Sequence, residues 1–281
     1  MRILLTGRNG QVGWDLARLL PALGEVHATD RAELDLASAD SIRRVVRETK
    51  PDVIVNAAAY TAVDKAESEP ELAMRVNGEA PGILGEEAKR LGALLVHYST
   101  DYVFDGERTG AYVETDAPNP ISAYGRSKLA GEQSIAASGC RHLIFRTCWV
   151  YAPRGKNFLL TILKAARERP ELKVVDDQFG APTSSAAIAA ATKQAIEKDG
   201  GEGIYHLSAA GRTNWHGFAQ EIVQAAGLTT PVKPIPSADY PTPARRPRNS
   251  LLDNSKLKKD FGIALSDWRD GMRDVLAQVL R

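Results

Sequence analysis

The chain has 281 residues, 43% hydrophobic and 25% charged, enough to bury a full core as one large or two interleaved domains. Lys and Arg number 36 against 35 Asp and Glu, a net charge of +1 without a basic stripe, so nucleic-acid and membrane-surface binding have no electrostatic support. No apolar run reaches membrane length and Met1-Arg2 leads straight into a strand rather than a signal peptide, which makes the cytoplasm the expected compartment.

Arg2-Ile3-Leu4-Leu5-Thr6 is an apolar run that meets Gly7-Arg8-Asn9-Gly10-Gln11-Val12-Gly13, and Trp14 to Leu20 continues with helical character. Strand, glycine loop and helix in that order predict a dinucleotide-binding turn. Gly7 allows the tight turn, Gly10 the close approach of a pyrophosphate to amides at the helix N-terminus, and Gly13 close packing of helix on strand. Val26-His27-Ala28-Thr29-Asp30 predicts a second strand, ending in a carboxylate placed to accept from ribose hydroxyls, which favours NAD. Arg31 follows it and suits a 2′-phosphate, which favours NADP, so both NADH and NADPH stay open. Asp35-Leu36 precedes a helix predicted over Ser38 to Glu48 and falls where an adenine is expected, although an Asp there also serves as a cap. Val53-Ile54-Val55-Asn56 has the continuous apolar character of a parallel strand. Behind it, Ala57-Ala58-Ala59-Tyr60 lets a flat cofactor lie against the backbone, or simply packs small residues.

A long helix is predicted from Pro70 to Leu91, with Asn77 near its middle, and Ala93 to Ser99 forms the fourth strand. That strand delivers Tyr98-Ser99-Thr100-Asp101-Tyr102 to the same carboxyl edge. Thr100 offers a hydroxyl that can donate to a substrate carbonyl oxygen. Pro120-Ile121-Ser122-Ala123 ends in turn chemistry, and Tyr124-Gly125-Arg126-Ser127-Lys128 opens a helix that continues through good helix formers to Ile135. Tyr124 and Lys128 then stand four apart on one face. A phenol titrates near ~10 in water, and a neighbouring ammonium lowers that value, which suits an acid/base tyrosine. A half-buried ring beside a solvated amine is the plainer alternative. What distinguishes this pair is the hydroxyl, tyrosine and lysine together in an alternating strand and helix order.

Cys140 and Cys148 lie in apolar surroundings without metal-ligand spacing and read as reduced buried thiols, so no zinc or other metal is indicated. Beyond Tyr151, helices over Asn157 to Glu168 and Ser184 to Lys198 alternate with strands over Leu172 to Asp176 and Gly203 to Ser208. Pro231 to Pro247 is proline-rich and runs into Arg245, Arg246 and Arg248, which fit either a diphosphate or a solvated basic turn. Trp215 and Trp268 read as helix anchors. The fold expected is α/β: a Rossmann-type doubly wound parallel sheet with a smaller C-terminal substrate-binding lobe. The NAD(P)-binding domain is expected over residues 1–150 and the lobe over residues 151–281, with segments crossing back to the first domain.

Gly7-x-x-Gly10-x-x-Gly13, Asn56-Ala57-Ala58-Ala59, Ser99-Thr100-Asp101-Tyr102-Val103-Phe104 and Tyr124-x-x-x-Lys128 together resemble the extended short-chain dehydrogenase/reductase superfamily. Four further stretches bring the resemblance closer, to the dTDP-4-dehydrorhamnose reductase family, over essentially the whole chain. They are Thr61-Ala62-Val63-Asp64-Lys65-Ala66-Glu67, Arg146-Thr147-Cys148-Trp149-Val150-Tyr151, Asp177-Gln178-Phe179-Gly180-Ala181-Pro182-Thr183 and Tyr240-Pro241-Thr242-Pro243-Ala244-Arg245-Arg246-Pro247. The resemblance implies that Gly10, Gln11, Val12, Asp30, Asp35, Leu36, Ala59, Tyr60, Thr61 and Tyr98 line the cofactor. It implies that Thr100, Asp101 and Trp149 contact a deoxysugar and that Tyr124 and Lys128 act on both. The activity implied is NADPH- or NADH-dependent reduction of the C4 keto group of dTDP-4-dehydro-β-L-rhamnose, in dTDP-rhamnose biosynthesis, with the nucleotide sugar as the partner.

Departures from the family pattern are few: Cys148 stands where small polar residues are common, and Arg8-Asn9 fills a variable part of the loop. A sugar 4,6-dehydratase or epimerase of the same superfamily is the enzymatic alternative. Such a dehydratase follows its Thr with Asp-Glu, whereas Tyr102 takes the Glu place here and leaves elimination without its base. A noncatalytic regulatory subunit is the other alternative, since the methionine adenosyltransferase beta subunit also resembles these reductases; the intact Thr100, Tyr124 and Lys128 speak against it. Without a carboxylate cluster a metal-linked dimer is not expected, and a homodimer stays open as the assembly.

Overall fold

Four of the apolar runs become strands buried along nearly their whole length: β1 (Arg2–Thr6), β3 (Val53–Asn56), β4 (Leu94–Thr100) and β5 (His142–Thr147), while β2 (Glu25–Thr29) is half exposed. In the computed structural model, which describes residues 1–280, they pair in parallel in the order β2-β1-β3-β4-β5. A sixth parallel strand, Gly203–His206, adds beyond β5. Parallel neighbours require crossovers, so helices cover both faces. The chain leaves β1 toward β2 on one side and returns to β3 on the other. That reversal opens a crevice at the carboxyl ends, between the Gly7 loop and Ala57 to Ala59.

Alternation along the strands sorts the core into two layers. Ile3 and Leu5 face α1 (Gln11–Leu19) and the Ser185–Lys198 helix through Leu16, Ile188 and Ile196. Leu4 faces α2 (Ala39–Thr49) and the Ala80–Leu91 and Ala123–Ser138 helices through Val46, Leu84 and Ile135. A further cluster of Tyr151, Leu163, Phe218, Ile222, Trp268 and Met272 belongs entirely to the chain beyond residue 150. The sheet core itself also draws on that stretch, because Ile188, Tyr205, Leu257 and Phe261 pack into it.

Side-chain caps set the helix starts. Ser38, Ser122, Asn157 and Ser184 each accept from an amide three residues on, at the head of α2 and of the Ala123–Ser138, Phe158–Glu168 and Ser185–Lys198 helices. Between Pro70 and Leu91 the helix changes pitch, running Pro70–Met74, a π-turn at Arg75–Glu79, then Ala80–Leu91. The π-turn surrounds Asn77, which accepts from Tyr60 N at 2.8 Å and donates to Tyr60 O at 2.9 Å and Ser127 Oγ at 3.1 Å. This asparagine ties the segment after β3 to the helix carrying Tyr124 and Lys128, in keeping with the use of π-turns near functional sites. Among the described residues no helix is long and apolar enough to cross a membrane.

Candidate active site

The glycine loop folds as its spacing predicts. Gly7 takes φ 73°, a left-handed conformation that admits glycine at no steric cost, and Gly10 N donates back to Gly7 O at 2.9 Å. A Cβ on Gly13 would lie 2.0 Å from Gly7 O, and one on Gly7 would lie 2.9 Å from Ala58. Gly10 caps α1 without any side-chain acceptor, so the first amides of the helix remain available to an anion. The loop therefore fits a pyrophosphate.

A cleft of about 790 Å³ follows the carboxyl edge of the sheet, within the size range of cofactor pockets. Gly7, Gly10, Gln11 and Val12 line one end. Asp30, Arg31, Asp35 and Leu36, which follow β2, line the next stretch, then Ala59, Tyr60 and Thr61 after β3. Tyr98 of β4 and Tyr124 and Lys128 of the Ala123–Ser138 helix complete the opposite side. Gly13 lies behind the loop against Gly7, while Thr100 and Asp101 are buried off this wall.

At the Asp30 end the structure adds Arg8, a residue that no motif marks. Arg8 donates to Asp30 Oδ2 at 2.8 Å and to Ala28 O at 2.6 Å, and pairs with Glu33 at 2.8 Å. The Ala32 amide, and the Arg8 guanidinium with it, hold the Asp30 carboxyl below its usual value against the opposing effect of burial. Arg31 is 80% exposed and 3.7 Å from Asp35. Gly155 and Lys156 also reach the cleft, brought there by Asn157, whose Nδ2 donates to Gln11 Oε1 at 3.0 Å. No motif in the sequence marks that loop.

Ser122 sets the register that turns Tyr124 and Lys128 into the cleft. Burial, then the Asp101 carboxylate, push the Tyr124 phenol well above its usual value, and the Thr100 hydroxyl acts in the opposite sense. The expectation that Lys128 lowers the phenol's pKa does not hold in this structure. Lys128 is 2% exposed, and its Nζ donates to Tyr98 O at 2.6 Å and lies 3.2 Å from His97 Nε2. Burial brings this lysine down to about 8, with Glu132 opposing. Thr100 Oγ1 donates to Asp101 Oδ1 at 3.0 Å and accepts from Tyr102 N at 3.2 Å. Burial raises Asp101 to about 6, with the nearby Ser250 and Thr100 hydroxyls acting in the opposite sense.

Trp149 sits at φ 49°, in the left-handed region where a bulky side chain is strained by roughly 1–3 kcal/mol. Its indole stacks on that of Trp215, with ring centroids 3.6 Å apart and planes 10° apart. On Gly180 a Cβ would come within 2.7 Å of the same indole. Trp268 is buried at the head of its helix, as an anchor is, whereas Trp215 stacks on the neighbouring indole. Of the three arginines near Pro247, Arg246 is bound to Asp64 at 2.8 Å, and Arg245 and Arg248 are exposed. Cys148 is buried, its Sγ donating to Ala181 O at 3.1 Å.

A glycine loop at the reversal point of a parallel sheet, facing a Tyr-x-x-x-Lys helix across one cleft, defines a Rossmann-type fold of the extended short-chain dehydrogenase/reductase kind. The family described as "RmlD substrate binding domain" matches residues 1–281, and the chain belongs to it. A Burkholderia thailandensis protein named dTDP-4-dehydrorhamnose reductase is 52% identical, over 99% of this chain and 100% of its own length. Among solved structures, a dTDP-4-dehydrorhamnose reductase from Clostridium acetobutylicum superposes with a TM-score of 0.97 at 37% identity, covering 100% of both chains. One from Bacillus anthracis, solved in complex with NADP, gives a TM-score of 0.95 at 34% identity over 99% of each.

Proposed function

We propose that this chain reduces the C4 keto group of dTDP-4-dehydro-β-L-rhamnose to give dTDP-β-L-rhamnose, with NADPH or NADH, in cytoplasmic dTDP-rhamnose biosynthesis. The observation that carries the reading is Tyr124 and Lys128 lining the same cleft as a glycine loop with open helix amides. Residues 1–150 bind the dinucleotide; residues 151–281 hold the sugar, with segments crossing back into the sheet.

When bound, the reduced nicotinamide supplies hydride to the carbon. The first amides of α1, at Gln11 and Val12, take the pyrophosphate, and Asp30 accepts from the adenine ribose. Tyr124 gives its proton to the carbonyl oxygen. A phenol raised by burial is protonated at neutral pH, which is the form a reduction needs in its donor. Thr100, whose hydroxyl rests on Asp101, turns its proton to the same oxygen as negative charge develops there. Lys128 holds the nicotinamide ribose, and Trp149, fixed between Trp215 and Gly180, forms an apolar wall against the sugar. Tyr102 stands where an eliminating enzyme needs a carboxylate, so the ketone is reduced rather than dehydrated.

The direct test is incubation with the dTDP-linked 4-keto-6-deoxyhexose generated in situ, following NAD(P)H absorbance and identifying the sugar formed. One cofactor oxidised per dTDP-rhamnose formed is the expected result; cofactor stability in the presence of that ketone overturns the reading. Sedimentation of the purified chain tests the homodimer.

Arg31→Ala should weaken NADPH binding by roughly tenfold, the loss of a charge-assisted contact to phosphate, and NADH binding much less. Equal losses in cofactor titrations would show that Arg31 does not reach the 2′-phosphate. Trp149 and Thr100 should fail differently. An indole wall acts alike on bound substrate and transition state, so Trp149→Ala chiefly raises KM. Thr100→Val removes a donor aimed at developing charge and chiefly lowers kcat, by up to ~10²-fold. Steady-state kinetics on variants of unchanged Tm decide this, and a Thr100→Val protein that keeps its kcat would make Thr100 a binding residue only.

A further inference from the structure

Behind Lys128 runs a buried chain of hydrogen bonds that the mechanism above does not use. Thr6 ends β1, Asn56 ends β3 and His97 lies in β4; sheet register sets them side by side, each at most 1% exposed. Ala58 N donates to Thr6 Oγ1 at 3.2 Å, and Thr6 Oγ1 donates to Asn56 Oδ1 at 2.6 Å. Asn56 Nδ2 lies 3.0 Å from His97 Nδ1, and His97 Nε2 lies 3.2 Å from Lys128 Nζ.

The first link favours one direction for the rest. A backbone amide only donates, so the Thr6 oxygen accepts from Ala58 N, and its single proton finds an acceptor in the Asn56 carbonyl 2.6 Å away. This turns the Asn56 NH2 toward His97, whose Nδ1 must then accept. Burial, and the Lys128 charge beside it, keep His97 neutral by pulling it well below its usual value. A neutral imidazole that accepts at Nδ1 carries its proton on Nε2, the nitrogen facing Lys128. A neutral amine there accepts a hydrogen bond from that N–H through its lone pair; an ammonium meets donor with donor. Reversing the chain needs the ring proton moved to Nδ1 and the Asn56 amide turned over. The NH2 would then face Thr6, whose hydroxyl proton loses the acceptor it now has.

We propose that His97 is a positioning residue for Lys128, holding an N–H donor against Nζ through the Thr6–Asn56–His97 chain and so easing the departure of the lysine's extra proton. Tyr98 O keeps the nitrogen in place throughout. The other groups around Lys128 are Glu132, one turn along the helix and ion-paired to Arg146 of β5, Tyr124 on the same helix, and Tyr98, whose hydroxyl is engaged with Thr192. Glu132 is the group that opposes proton loss. The lysine is thereby a proton-exchanging group near neutral pH rather than a fixed charge. This rests on the reading that Lys128 serves the site where Tyr124 meets the ketone.

The experiment follows Lys128 itself, by NMR of protein carrying 13Cε-labelled lysine, with the resonance assigned by its absence in Lys128→Arg. The wild-type midpoint is expected at about 8. His97→Leu takes the N–H donor away from Nζ, and should raise the midpoint by about one unit, carrying the alkaline limb of kcat with it. Thr6→Val keeps the shape but frees the Asn56 amide to turn, and should move the midpoint the same way by less. An unmoved or lowered midpoint in both folded variants overturns the proposal. Because the midpoint is read without turnover, a shift in a protein that fails to reduce the ketone would sink the functional reading and leave the chain standing.

Discussion

Tyr124→Phe should lose ~10²–10⁴-fold in kcat while binding NADPH as the parent does, since general acid catalysis contributes about that much. The substitution removes only the hydroxyl. The ring keeps its edge-on packing on Tyr102, with centroids 5.6 Å apart, so the helix N-terminus and the Lys128 contacts to Tyr98 and His97 have no cause to move. Burial keeps the parent phenol protonated well past neutrality, so its loss should be nearly constant across neutral pH rather than confined to one limb. Single-turnover reduction with cofactor prebound separates the chemical step from binding. An unimpaired rate there would transfer the acid role to another group, with Thr100 the first to test.

What the sequence showed of this site was local. Gly7, Gly10 and Gly13 follow one another in a single turn, and Tyr124 and Lys128 are one helical turn apart, so spacing alone carried their geometry. The apolar runs marked β1 to β5 because strands of a parallel sheet buried on both faces read as continuous hydrophobic segments. Contacts between distant segments left no such trace. Arg8 reaches Asp30 only because β1 and β2 are neighbours in the sheet. Asn157 bonds Gln11 across 146 residues of chain. The Gly203–His206 strand looks like any short apolar run, and nothing in it announces β5 as its partner.

The chemistry of the tyrosine and lysine pair is also set from outside its own helix. Tyr124 and Lys128 at helical spacing suggest an ammonium beside a phenol, but the lysine's direction is set by Tyr98 O and His97, both on β4. The Trp149 indole is likewise fixed from outside its own segment. Trp215 stacks on it and Gly180 leaves it room, and these contacts offset a backbone conformation that Trp149 would not adopt alone. The π-turn at Asn77 replaces part of the regular helix predicted there because three hydrogen bonds to Tyr60 and Ser127 hold that side chain.

Glu132→Ala should cost about 3–5 kcal/mol, the usual loss when one member of a buried ion pair is removed. Glu132 and Arg146 are each 2% exposed, joined by Arg146 Nε to Oε1 at 2.9 Å and Nη2 to Oε2 at 2.6 Å, and Ser99 Oγ donates to the same carboxylate. Truncation leaves a guanidinium without its counter-charge beside the Phe104 ring, 5.1 Å from its centroid, where water does not reach. At ~2–4 °C per kcal/mol the melting temperature should fall by roughly 6–20 °C. The loss should reach the site as well. Ser99 and Arg146 are register partners, as are Thr100 and Thr147 beside them, and Glu132 is one turn from Lys128. The pair therefore pins the helix of Tyr124 and Lys128 to the strands carrying Thr100. Replacing both partners together, Glu132→Leu with Arg146→Met, removes the stranded charge and should recover much of the lost Tm. A single variant that melts within two or three degrees of the parent would show that Arg146 finds water or another acceptor, and that packing alone holds the helix in place.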